Sequence, residues 1–331
     1  MDHIAVIGAG SWGTTLASLL SIKGYDVSLW VYEKDLAEEI NRTRMNSIYL
    51  PDIKLPDDLV ITESIKNAVT GAGYVLNAVP VQFTRSIFRE VVSFLPKAAI
   101  VINVAKGIER ETLLTVSSIL KELSDHPAAV LSGPSFAKEV IKRLPTAVTL
   151  ATEDRNIGFM LQEVFNMNNF RVYTHDDIIG VEIGGALKNV IAIASGISDS
   201  LGLGNNARAS LITRGLAEMT RLGVAMGAKE RTFSGLSGIG DLVLTCTSNL
   251  SRNYTVGTKL GKGLGLKEIL NQTRSVAEGV ATAESAFELS KKYNIEMPIV
   301  EQVYKVIYED KDPALAARDL MVRSLKTEFY G

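Results

Sequence analysis

The sequence predicts an α/β domain built on a mainly parallel sheet, followed by an all-helical domain. Three observations carry that reading. Short apolar runs of strand character alternate with helical patterns as far as Asp176, the signature of repeated strand–helix units with helices on both faces of a sheet. Beyond Asp176 only helical periodicity continues. The chain also opens on an apolar strand, His3-Ile4-Ala5-Val6-Ile7, which runs into a glycine-rich turn and a helix. The domain boundary falls near residue 178, giving domains of 1–178 and 179–331 with no long linker.

The opening turn, Gly8-Ala9-Gly10-Ser11-Trp12-Gly13, has the spacing G-x-G-x-x-G, and Leu16, Leu19 and Leu20 mark the helix after it. Between a strand and a helix that motif denotes a Rossmann-type dinucleotide site. Gly8, Gly10 and Gly13 permit a tight turn, close approach to a pyrophosphate and close helix packing, while the helix start offers N–H groups to the phosphates. The plain alternative is a tight turn that binds nothing. The second strand, Val27-Ser28-Leu29-Trp30-Val31, ends at Tyr32-Glu33-Lys34. An acid there suits an NAD ribose and a base suits NADP, so these residues leave the preference open. Further strands are expected at Val60-Ile61, Tyr74 to Val79, Ile100 to Val104, Ala129 to Leu131, Ala147 to Leu150 and Arg171 to Tyr173. Helices are expected from Phe83 to Leu95 and from Leu113 to Leu123. Val79-Pro80-Val81, Lys106-Gly107 and Ser132-Gly133-Pro134-Ser135-Phe136-Ala137 each follow a strand. Right-handed crossovers would gather them on one sheet edge, where ligands bind.

Composition narrows the function. With 46% hydrophobic and 22% charged residues the 331-residue chain is ordinary globular material. A net charge of −2 gives no reason to expect a nucleic-acid partner. Cys246 is the only cysteine, which precludes an internal disulfide and suits a reducing cytoplasm. The N-terminus lacks a basic leader, no apolar run suggests a membrane span, and His3, His126 and His175 show no metal-ligand spacing. The expectation is a cytoplasmic protein without a metal.

In the helical half, Ile183, Leu187, Val190 and Ala194 recur at helical spacing, and Lys188 lies off that stripe near Gly184 and Ser195. Such a lysine is ordinarily a stem on the surface with its head in water; flanking small residues would instead let another backbone or a ligand reach the ammonium. Helices are also expected over Arg208 to Met226, Leu266 to Leu270, Ala277 to Lys292 and Val300 to Tyr308. The run Leu236-Ser237-Gly238-Ile239-Gly240-Asp241-Leu242 is too glycine-rich for a helix interior and would hold Asp241 against a site. Ser251-Arg252-Asn253 offers a guanidinium fork with hydroxyl and amide neighbours, a phosphate-binding set unless Arg252 simply caps a helix end.

These segments, with Ala105-Lys106-Gly107, Ala186-Leu187-Lys188-Asn189 and Val276-Ala277-Glu278-Gly279, occur in one order. In that order the chain resembles the bacterial NAD(P)-dependent glycerol-3-phosphate dehydrogenase family from end to end. The resemblance implies interconversion of dihydroxyacetone phosphate and sn-glycerol 3-phosphate, feeding phospholipid synthesis, with NADPH the commoner cofactor and NADH the other. It implies Lys188 as catalytic acid/base, aligned by Asp241. Substrate would be contacted by Lys106, Gly133, Ser135, Lys188, Asp241, Ser251, Arg252 and Asn253, and Asn189 would orient it or hydrogen-bond backbone. Cofactor would be contacted by Ser11, Trp12, Tyr32, Lys106, Ala137, Arg252, Val276 and Glu278, beside the glycine turn. The resemblance also allows a homodimer. Val81 departs from the Ser of many relatives, and Tyr32 from their Arg or His. For Lys188, burial with Lys106 and Arg252 would lower the pKa from about 10.4 and Asp241 would raise it. The alternatives are a 3-hydroxyacid dehydrogenase of the same architecture, a nucleotide-sugar dehydrogenase with Cys246 as nucleophile, and a dinucleotide-sensing module without turnover.

Overall fold

The computed structural model describes residues 3–272 and 276–328, and the chain divides into two compact units. The first comprises residues 1–105 and 116–178, the second 106–115 and 179–331. The excursion Lys106–Thr115 therefore departs from the continuous first domain read from the sequence. The cause is local: Ile108 is fully buried in the core of the second unit, and its carbonyl accepts from Ser285 Oγ at 3.2 Å.

Ten strands are described: β1 His3–Ile7, β2 Asp26–Trp30, β3 Met45–Asn46, β4 Leu50–Lys54, β5 Val60–Thr62, β6 Ala72–Asn77, β7 Ile100–Asn103, β8 Ala128–Ser132, β9 Thr146–Thr152 and β10 Phe170–His175. Eight form one sheet in the order β10-β9-β8-β7-β6-β1-β2-β5, parallel except where β8 meets β9. The remaining two, β3 and β4, pair as a small antiparallel hairpin. The helices of this unit are α1 Ser11–Ile22, α2 Lys34–Thr43, α3 Ile65–Val69, α4 Val81–Val91, α5 Val116–Leu123, α6 Ala137–Val140 and α7 Arg155–Phe165.

Strand alternation explains the two layers. Along β1, Ile4 and Val6 pack with Leu16 and Leu20 of α1, whereas Ala5 and Ile7 pack with Phe88 and Val91 of α4 on the other face. A strand apolar on both faces must be covered on both. β1 lies between β6 and β2, so the chain order reverses at its carboxyl end, the position where such sheets bind ligands.

The second unit is helical: α8 Ile178–Ser200, α9 Gly204–Ala225, α10 Asp241–Cys246, α11 Arg252–Gly261, α12 Leu266–Asn271, α13 Glu278–Lys292, α14 Pro298–Tyr308 and α15 Pro313–Met321. α8 corrects two expectations. It is buried all round from Gly180 to Ser198 rather than along one stripe, so it is the central helix of its unit. Its composition also reaches membrane-spanning hydropathy, 1.5 over eighteen residues, but 89% of that window is buried within the protein. The glycine-rich run, read as unsuited to a helix interior, forms a π-helical turn over Leu236–Gly240 that is kinked at Gly238 (φ −96°, ψ −105°) and leads into α10.

Candidate active site

At the switch point, backbone geometry assigns a different task to each glycine. Gly8 has φ +113°, and a Cβ there would stand 2.8 Å from the carbonyl oxygen of Ala78. A Cβ on Gly13 would fall 2.0 Å from the Gly8 carbonyl oxygen. Those two positions need glycine for the packing of strand, turn and helix. Gly10 differs, because a Cβ there would meet nothing within 4 Å. The space above it is open, and α1 starts there without a side-chain cap. Its first-turn N–H groups and positive dipole end face that space, an arrangement suited to a pyrophosphate. The buried indole N–H of Trp12 adds a donor with no partner among the described residues. The residues present fit a dinucleotide.

The β3–β4 hairpin, which sequence patterning did not reveal, fastens this turn. Fully buried Asn46 donates through Nδ2 to the Ala9 carbonyl and to Thr14 Oγ1, each at 2.9 Å. Ser11 Oγ donates to the Tyr49 carbonyl at 2.6 Å, and the Tyr49 hydroxyl donates to Glu33 Oε1 at 2.6 Å. Ser11 and Glu33 are thus joined through one tyrosine. Tyr32 is 75% exposed, its ring edge against Trp30. On the same sheet edge Gly133 has φ +140°, with its Cβ position 3.0 Å from Val148 Cα. The Ser135 hydroxyl donates to the Gly133 carbonyl at 2.9 Å, and Ala137 begins the short α6. Val81, at the start of α4, is fully buried.

In the second unit three charged groups meet. Lys188 Nζ lies 2.7 Å from Asp241 Oδ1, and Lys106 Nζ lies 2.7 Å from Asp241 Oδ2. Lys188 also donates to Thr245 Oγ1 at 2.7 Å, and that hydroxyl donates to the Asp241 carbonyl at 2.6 Å. Lys188 and Asp241 are 6% and 1% exposed, so the ammonium is not a stem with its head in water. Buried charge persists only where it is paired and hydrogen-bonded. The route by which Asp241 arrives is visible in the backbone: a Cβ on Gly184, one turn before Lys188, would stand 2.6 Å from the Ser237 carbonyl oxygen. Glycine there lets the π-helical turn lie against α8 and bring Asp241, the first residue of α10, to Lys188.

Burial dominates the proton affinity of Lys188 and lowers its pKa to about 8; Asp241 opposes the shift and Lys106 assists it. Burial alone would raise Asp241, but the two ammonium groups hold its carboxyl below the ordinary value. Burial pushes the Cys246 thiol up to about 12. A thiol so firmly protonated is no nucleophile, and the nucleotide-sugar dehydrogenase alternative loses its chemistry.

The remaining residues singled out in the sequence take defined places. Asn189 Nδ2 donates to the Lys106 carbonyl at 3.3 Å, realising the backbone option. Ser251 is the N-cap of α11, its hydroxyl accepting the Tyr254 N–H at 3.2 Å. Asn253 Oδ1 accepts the Gly279 N–H at 2.9 Å. Both side chains thus carry structural bonds. Arg252 opens α11 and donates through Nη1 to the carbonyl of Val276 at 3.2 Å, while Glu278 begins α13. The structure brings Lys106, Lys188, Asn189 and Asp241 together, and Arg252 with Val276. Sequence reasoning missed Thr245, Asn46 and Tyr49. The one available signal was the spacing of Thr245 from Asp241, four residues and hence one helical turn.

A glycine turn open at the switch point of a parallel sheet and a buried, paired ammonium are what the class of dinucleotide-dependent dehydrogenases requires. Comparison with known proteins then resolves the family. Residues 3–158 match the N-terminal profile of NAD-dependent glycerol-3-phosphate dehydrogenase, and residues 177–318 match the C-terminal profile. The chain belongs to that family. It is 54% identical to an enzyme of Citrifermentans bemidjiense over 331 residues, covering 99% of each chain. It is equally 54% identical to an enzyme of Syntrophotalea carbinolica, again over 99% of each. Both carry the name glycerol-3-phosphate dehydrogenase, NAD(P)+. The crystal structure of glycerol-3-phosphate dehydrogenase from Coxiella burnetii superimposes with a TM-score of 0.94 at 41% identity, covering 97% of this chain and 99% of the other.

Proposed function

We propose that this enzyme interconverts dihydroxyacetone phosphate and sn-glycerol 3-phosphate, with Lys188 moving the proton. The observation that carries the mechanism is the buried Lys188, held by Asp241 and Thr245 and lowered to about 8. When bound, NADPH or NADH supplies the hydride for the carbonyl carbon. Lys188 in its ammonium form delivers a proton to the ketone oxygen as the alkoxide develops, and in the opposite direction neutral Lys188 takes the proton from the hydroxyl. A pKa near working pH serves both directions. Asp241 keeps the ammonium aimed, and Lys106 beside it adds positive charge for the substrate. Arg252 supplies a guanidinium for the phosphate, with Ser251 and Asn253 holding its helix in place. Gly8, Gly10 and Gly13 shape the pyrophosphate site, Ser11 and Trp12 open the helix that faces it, and Tyr32 borders the ribose.

Membership of the family supports either dinucleotide as cofactor and a role in supplying glycerol phosphate for phospholipids. The single buried cysteine suits a cytoplasmic location, and we take the enzyme to form a homodimer by analogy. The reading is tested by following absorbance at 340 nm with dihydroxyacetone phosphate and with dihydroxyacetone, each with NADPH and with NADH. Rapid oxidation confined to the phosphorylated ketone is expected. Silence in all four mixtures with cofactor binding intact overturns the substrate assignment.

A further inference from the structure

Away from the acid–base cluster, three helices meet at one carboxylate. Asp199, on the last turn of α8, accepts from Arg208 Nε at 3.0 Å and also from its Nη2. The same carboxylate accepts the hydroxyl of Tyr254, on the first turn of α11. Its side chain is only 15% exposed. Asp199 follows Lys188 by three helical turns and lies within about 20° of it around α8. Tyr254 follows Arg252 by two residues. One hydrogen bond therefore connects the helix that carries the ammonium to the helix that carries the guanidinium.

The backbones around that bond lie close together. A Cβ on Gly196 of α8 would stand 2.1 Å from the Tyr254 carbonyl oxygen, and a Cβ on Gly257 of α11 would stand 2.0 Å from the Ile193 carbonyl oxygen. The two helices cross on glycine, with backbones in contact, and Val256 and Leu260 of α11 share a core with Ile193 and Ile197 of α8. Steric contact sets the separation of the helices, and the hydrogen bond adds a directional tie at the end that carries Arg252. Two further polar ties on the first turn of α11, Asn253 to Gly279 and Arg252 to the Val276 carbonyl, run toward α13 rather than to α8. Asp199 to Tyr254 joins α11 to α8 directly. Arg208 holds the carboxylate in place.

We propose that Asp199 and Tyr254 are positioning residues: they fix α11 on α8 and so place Arg252 for the substrate phosphate without touching substrate themselves. The proposal rests on Arg252 as the phosphate ligand. Tyr254→Phe removes the hydroxyl and keeps the ring. It is expected to lower kcat/KM for dihydroxyacetone phosphate about tenfold, the equivalent of one net hydrogen bond, and to leave kcat/KM for dihydroxyacetone unchanged. Asp199→Ala should behave like Tyr254→Phe, while Asp199→Asn, which still offers an acceptor oxygen, should recover most of the loss. Equal losses on both ketones, or none on either, overturn the proposal. Arg252→Ala, measured alone and combined with Tyr254→Phe, separates the lock from the reading beneath it. If Arg252→Ala spares the preference for the phosphorylated ketone, the phosphate reading falls. The lock is then judged on whichever parameter Arg252→Ala does change, such as cofactor KM. In either case Tyr254→Phe must add nothing further in the Arg252→Ala background. Additive losses, or an Arg252→Ala variant with no kinetic change at all, overturn the lock.

Discussion

Replacing Asp241 with Asn is the sharpest perturbation of the acid–base cluster. The carboxylate holds Lys188 and Lys106, each at 2.7 Å. Without its charge, two ammonium groups would share one neutral amide in a nearly water-free site. A charge pair at about 4 Å with an effective dielectric of about 20 is worth about 4 kcal/mol, equivalent to roughly a thousandfold in protonation. Even a third of that is tenfold. Lys188, the more buried of the two, is expected to lose its proton more readily: its side chain is 7% exposed against 18% for Lys106. With Lys188 in its proposed role, ketone reduction by the native enzyme is expected to fall as pH rises through about 8, and alcohol oxidation to rise through the same value. In Asp241→Asn the fall moves well toward acid, so reduction at neutral pH drops about tenfold or more and recovers partly on acidification. Steady-state rates for both directions between about pH 5 and 10 decide the matter. A variant slowed at every pH, with the limb still near 8, would show that Asp241 does not set the proton affinity of Lys188, and the reasoning would fail.

Four further outcomes are expected. Lys188→Ala should lose about 10²- to 10⁴-fold in kcat while retaining cofactor binding by fluorescence titration; near-normal turnover refutes its role. Arg252→Ala should weaken the phosphorylated ketone by roughly 1.5–3 kcal/mol, and a loss of the same size on dihydroxyacetone removes the phosphate assignment. Gly10→Ala should leave the melting temperature unchanged and weaken dinucleotide binding, because its Cβ meets only the open cradle. Gly13→Ala should instead lower the melting temperature by roughly 5 °C, since its Cβ collides with backbone, and the reverse pattern would contradict the cradle. Glu218 is buried and raised to about 7, chiefly by burial; the N–H groups of Ile299 and Val300 and the charges of Arg221 and Arg323 oppose the shift. The native state therefore keeps a proton that the unfolded chain releases, and stability falls as pH rises from about 4.5 through about 7. Urea titrations of Glu218→Gln should show that slope flattened by about 3 kcal/mol; an unchanged slope rejects the assignment.

The first unit was legible because its signals are local. The apolar run of β1, the glycine spacing and the helix start lie within twenty consecutive residues, and each has its own physical cause. The β3–β4 hairpin was not legible. Leu50-Pro51-Asp52-Ile53-Lys54 has no clean alternation, and its importance lies in bonds that Asn46 and Tyr49 make to residues more than fifteen positions away. Lys188 and Asp241 could be nominated from motifs, and their pairing from the resemblance; the backbone contact that delivers it, Gly184 admitting the carbonyl of Ser237, could not. Ser251 and Asn253 were read as ligands, and the structural bonds they also make were not legible, since hydroxyls and amides serve phosphates and helix caps alike. Lys106 was placed by chain order beside β7, while Ile108 had already committed that segment to the other core.

That last allegiance bears on how the enzyme can be altered. The groups bonded or charge-coupled to the proposed proton donor, Asp241, Lys106 and Thr245, belong to one compact unit, and Tyr32, Glu33 and Tyr49 belong to the other. On the proposed roles, coenzyme choice and acid–base chemistry would be separately adjustable inheritances. Variants selected at the three aromatic and acidic positions for one dinucleotide over the other should keep the inflection of their pH–rate curves where the parent has it.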